Sequence, residues 1–178
     1  MMKSWIAGAA FALASLPGAA TAQDGAKLDC VVAAATPALK AEIGASMTGP
    51  DDAPREALLK QLGAMVDDCA ARHGIASDNK GDYLAYNIAR IAREWLIGEI
   101  ARSKLQASVV DKALDFGPRG ANPDLTGEMT EDHINTILQA YVAAGVDIES
   151  IDQPVWEKVG AYAAATSIYW NKRKRLPF

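Results

Sequence analysis

The chain has 178 residues, half of them hydrophobic, with 18 Lys plus Arg against 22 Asp plus Glu and a formal net charge of −4. That length suits one domain with a real core, and the mild acidity argues against a nucleic-acid partner, which needs a basic face. Only two histidines are present, which leaves little for a zinc site or a hydrolase triad.

Residues 1–22, MMKSWIAGAAFALASLPGAATA, have the parts of a cleaved secretory signal peptide. Lys3 is the short positive region, Trp5 to Leu16 the apolar run, Pro17 and Gly18 its break, and Ala20-Thr21-Ala22 the small-residue cleavage site. The apolar run falls well short of the roughly 20 residues that a spanning helix needs. A lipid anchor is not expected either, because Lys27-Leu28-Asp29 stand before Cys30 in place of small and apolar residues. The leader carries one cation and no acid, so a mature chain from Gln23 has net charge −5 and a periplasmic or secreted address.

An oxidising compartment favours pairing of Cys30 with Cys69, the only two cysteines. Their separation is wrong for CxxC redox chemistry. The remainder, 23–178, reads as a single all-α domain of five or six helices with a short basic tail, since helical periodicity dominates and no alternating β-branched run occurs.

From Leu28 to Met47 the apolar positions are Val32, Ala35, Leu39 and Ile43, and Thr36-Pro37 imposes a kink or a fresh start. Thr48-Gly49-Pro50-Asp51-Asp52 is a turn. A second segment from Pro54 repeats Leu58, Leu62, Met65 and Cys69 and stops at Gly74, which puts Cys69 on a buried stripe. A third, capped at Ser77 or Asp78, runs from Asn79 toward Phe116. Unbroken it would be about 57 Å long at 1.5 Å per residue, so a break near Ser103 is expected. GPRGANPDLT, residues 117–126, is a loop. Thr126 or Thr130 then caps a helix with Ile134, Leu138, Tyr141 and Val142 on its inner face, ended by Gly145. Pro154 opens the last helix, which presents Val155, Trp156, Val159, Tyr162, Tyr169 and Trp170 over a broad arc.

The third segment carries the candidate binding site. On a helical wheel Leu84, Ile88, Ile91 and Trp95 form the core stripe, flanked by Ala85, Ala92 and Leu96. Tyr83, Asn87, Arg90 and Glu94 share another sector of about 60 degrees. That strip offers a hydroxyl, an amide, a guanidinium and a carboxylate to a polar ligand; as a plain solvated face it would hold only an Arg90–Glu94 pair of a few tenths of a kcal/mol. Glu99 falls inside the apolar sector, where desolvation would suit a general acid, though Arg102 follows one turn on.

His73 and His133 lack a second ligand at i+3 or i+4, and no metal or cofactor is implied. DNKGD at 78–82 and DIESID at 147–152 lack the glycine and glutamate of an EF-hand loop. Ser77-Asp78-Asn79-Lys80 overlaps SxxK with SDN by chance, since the two stand apart in the enzymes that use them. Lys172-Arg173-Lys174-Arg175 ends the last helix, either complementing its dipole before the chain frays or resting on an anionic membrane surface. The expectation is an exported helical protein that binds a protein or envelope component. The alternatives are an envelope enzyme using Glu99 or Glu94 as an acid, and a structural protein held at a membrane surface by its tail.

Overall fold

A computed structural model describes residues 18–48, 53–127 and 129–178, and among these the side chains of all but 18–23, 53 and 54. Residues 1–17 of the expected leader, and Gly49 to Asp52 of the expected turn, lie outside these. Among the described residues the chain is all-helical. Its seven α-helices are α1 (Gly18–Ala34), α2 (Pro37–Ser46), α3 (Ala53–His73), α4 (Lys80–Arg102), α5 (Ala107–Ala113), α6 (Glu131–Ala143) and α7 (Gln153–Arg175).

Seven rather than five or six follows from local chemistry. Thr36 caps α2 by accepting from the Leu39 N–H at 3.2 Å, and Pro37, with no N–H to lose, takes the first turn. The segment is therefore two helices rather than one kinked rod. The expected break near Ser103 is present: α4 ends at Arg102 and Lys104 takes φ +62. Thr130, not Thr126, caps α6, and neither Ser77 nor Asp78 caps α4 directly, because Ser77–Asn79 form a 3₁₀ turn ahead of it.

α4 is the spine. Its most extensive partner is α7, while α1, α2 and α3 cover other sides of it. Two apolar clusters result. One gathers α1, α2, α3 and the first half of α4, with Leu176 of the tail. The other gathers the second half of α4 with α5, α6 and α7. A disulfide joins Cys30 of α1 to Cys69 of α3 with Cα atoms 6.0 Å apart inside the first cluster, as expected. α2 lies so close on α4 that Gly44 faces Trp95 directly. A Cβ at Gly44 would sit 2.6 Å from Trp95 Cβ and closer still to two indole atoms.

Coverage from several sides changes the wheel reading of α4. Leu84, Ile88 and Trp95 are only partly buried, whereas Tyr83 and Asn87, expected on a polar strip, are fully buried with Tyr86, Ala89 and Ile91. A single-stripe analysis assumes one apolar partner, and α4 has several, α1, α2, α3, α5 and α7 among them. On α6, likewise, Ile137 and Tyr141 face inward, while Ile134 is 43% and Val142 53% exposed.

Asn122 organises the 117–127 loop from within. Asn122, at φ +51, accepts from Gly117 N–H at 2.9 Å and donates to the carbonyls of Gly117 and Gly120 at 2.8 and 2.6 Å. Ser167 of α7 accepts from Leu125 N–H and donates to the Pro123 carbonyl, tying the loop to the bundle.

The tail does not fray. Leu176 is buried, Phe178 packs edge-on to Tyr83 with centroids 6.1 Å apart, and Lys27 lies over the Phe178 ring. Lys172 bonds Asp82 at 2.5 Å and Lys174 donates to the Gly120 carbonyl.

Candidate functional site

The strip expected to bind a polar ligand is largely the seat of α1. Tyr83 Oη donates to the Lys27 carbonyl at 2.5 Å, and Arg90 donates to the Leu28 carbonyl at 3.1 Å and to Asp29 at 2.7 Å. Arg90 also pairs with Glu94 at 3.0 Å. Burial raises the Tyr83 phenol above its ordinary value, so it stays a neutral donor. Asn87 donates to the Tyr83 carbonyl at 2.8 Å, and its Oδ1 is buried without a hydrogen-bond partner.

Arg90 and Glu94, without Tyr83 and Asn87, open onto a polar cleft of about 310 Å³ shared with Asp29, Tyr86, Arg93 and Tyr169. Sequence reasoning missed Arg93, which the wheel left between sectors. Its guanidinium bonds Thr166 Oγ1 at 3.2 Å, Asp111 at 3.0 Å and Tyr162 Oη at 3.0 Å, and lies over the rings of Tyr162 and Tyr169. Tyr162 Oη donates in turn to Asp111 at 2.7 Å. Burial, more than any neighbour, raises the Tyr86 and Tyr162 phenols. Arg90 is already engaged by Asp29 and Glu94 and Arg93 by Asp111, so a ligand entering this cleft must displace ion pairs.

Glu99 is also committed. Its carboxylate accepts from Lys158 of α7 at 2.9 Å and from Arg102, and its side chain is 11% exposed. Glu94 pairs with Arg90 at the surface. His133 Nδ1 meets Thr130 Oγ1 at 3.1 Å within the α6 cap. Among the described residues no three His, Cys, Asp or Glu side chains converge as a metal site, and no helix is long and apolar enough to cross a membrane.

The other candidate is a groove of about 510 Å³ between α6 and α7. Ile134, Ile137 and Leu138 form one wall and Trp156 and Val159 the other, with Met129 and Ile148 at the ends. Gly160 on α7 leaves the space open: a Cβ there would meet only Met129 Cε at 3.4 Å. Ile134 and Leu138 were expected to be core. They instead line a surface that no element of the described residues covers, because α6 docks through Ile137 and Tyr141.

The rim is acidic. Glu149 and Glu157 line the groove, and Glu131, Asp132, Asp147 and Asp152, exposed, lie within three residues in sequence of lining positions. The signal is legible in the sequence: residues 124–157 hold eight acids and no Lys or Arg. Lys158 follows, but its amine is turned to Glu99.

Compared with known protein families, curated proteins and solved structures, the chain matches none.

Proposed function

We propose that the protein is an exported binding module of the periplasm or extracellular space, which holds a protein or envelope component in the groove between α6 and α7. Export is supported by the leader pattern of residues 1–22 and by the Cys30–Cys69 bond. The observation that carries the binding reading is an open apolar groove with Ile134 exposed on its wall, within the size range of ligand sites. The polar strip and cleft at Arg90 and Glu94 are the lesser candidate, because their charges already satisfy one another.

An enzyme working through Glu99 or Glu94 draws less support. Glu99 is bound to two cations, and Glu94 is exposed. Membrane attachment through Lys172, Arg173, Lys174 and Arg175 draws less as well. The tail's apolar residues pack into its own core, and Tyr169 stacks on Tyr86 with centroids 5.2 Å apart.

Two measurements test the proposal. N-terminal sequencing of native material is expected to begin at Gln23, with both thiols protected from alkylation; an intact leader with two alkylatable thiols overturns export. Affinity capture from envelope extract is expected to retain a partner that Ile134→Asp loses at unchanged fold. Equal retention by Ile134→Asp overturns the groove.

A further inference from the structure

We infer that the occupant of the α6–α7 groove is a cationic amphipathic helix of a partner protein; this rests on the groove being the binding surface. Two independent properties point to that chemistry. The first is shape. Ile134 and Leu138 stand one turn apart on α6, and the α7 wall runs from Gln153 to Gly160, about 10 Å at 1.5 Å per residue. Two turns of a helix fit such a length, with apolar anchors at i, i+3 or i+4, and i+7.

The second is charge. An acidic helix would bring its polar face against Glu149 and Glu157 on the rim, in a stretch whose other acids Glu131, Asp132, Asp147 and Asp152 are also exposed. Residues 124–157 supply no Lys or Arg to offset them. Lysines or arginines flanking the apolar stripe would meet the carboxylates of Glu149 and Glu157. Like-charge juxtaposition disfavours the wrong partner, and opposite charge speeds encounter.

Among the described residues no Lys or Arg lines the groove. Those of the C-terminal tail stand at the far end of α7, and Lys172 and Lys174 are bonded there. The molecule is thus polarised along α7, acidic where the groove opens and basic where the tail docks.

The test uses the full chain and two synthetic helices with the same leucine stripe, one with lysines and the other with glutamates on the polar face. Binding is followed by anisotropy of a labelled peptide. The lysine helix is expected to bind at least tenfold more tightly than the glutamate helix, and to weaken at least threefold from 50 to 300 mM salt. Gly160→Leu, which fills the groove, is expected to abolish binding. Glu149→Lys/Glu157→Lys, a surface change that leaves the core intact, is expected to reverse the peptide preference.

Equal binding of both helices overturns the cationic inference and leaves the groove standing. Binding that survives in folded Gly160→Leu, or a preference unmoved by the double charge reversal, places the peptide elsewhere and overturns it too. Binding of neither helix overturns the inference, while Ile134→Asp in the capture experiment separately decides the groove.

Discussion

Removing the Cys30–Cys69 bond is the perturbation whose size follows most directly from the fold. The bond closes a loop of 39 residues between α1 and α3. In the chain-entropy account a loop of that size removes about 4 kcal/mol of denatured-state freedom. That is a large part of the roughly 5–15 kcal/mol that holds a domain folded. For a chain of this length about 2–4 °C of Tm accompanies each kcal/mol, so reduction is expected to lower Tm by about 8–16 °C. The assay is thermal unfolding of the oxidised protein against the reduced protein, with thiol content checked by alkylation. Reduction is the cleaner perturbation, because Cys30→Ala/Cys69→Ala also empties buried volume. Kinetics add a second reading. A cross-link acting on the unfolded chain slows folding when broken and leaves unfolding nearly unchanged. A Tm shift below about 2 °C with both thiols free would refute the reasoning. A loss carried wholly by faster unfolding would instead assign the bond to native packing around α1.

Three further outcomes follow from other contacts. Gly44→Ala gains about 1 kcal/mol of helix propensity and meets Trp95 at overpacked distance, typically about 1–3 kcal/mol; a net loss of up to about 2 kcal/mol is expected in denaturant melts, recovered in part by Trp95→Leu, and a more stable Gly44→Ala refutes the close approach. Asn122→Ala orphans the Gly117 N–H and strains a positive φ, for about 2–3 kcal/mol in the same assay, with Asn122→Gly costing less because only the strain is relieved; equal losses would show that φ is not involved. Tyr83, Tyr86 and Tyr162 are raised by burial from the unfolded value near 10, and Tyr141 is pushed up to about 12. The unfolded chain therefore releases these protons first, so stability is intact below pH 10 and is lost as pH climbs from 10 toward 12. Absorbance at 295 nm is expected to show these four phenols ionising together with unfolding, and their ionisation in a still-folded chain would refute the shifts.

Much of the architecture was legible because its signals are local. Pro37, Thr130, Gly74, Gly145 and Pro154 punctuate helices by their own backbone chemistry, and Cys69 sat on its stripe. Side-chain destinations on α4 were not legible. Whether Tyr83 faces water or the carbonyl of Lys27 depends on α1, 56 residues away, and no wheel contains that helix. Arg93 was missed for the same reason, since Asp111, Tyr162 and Thr166 come from two other helices. The groove was hidden by a correct period read with the wrong inward edge: α6 is amphipathic, but its docking line runs through Ile137 and Tyr141 and leaves Ile134 outside. The acidic tract of 124–157 needed no structure to be seen. Only the placement of Glu149 and Glu157 on the lining of an apolar groove gave it a meaning.

The two apolar clusters share α4, and that has a consequence for how the molecule comes apart. Opening either half withdraws packing from the same 23-residue rod, so neither can melt and leave the other as a free-standing remnant. Local excursions are thereby confined to the periphery, such as the exposed face of α6, while the spine releases its amide protons only when the whole cooperative unit dissolves.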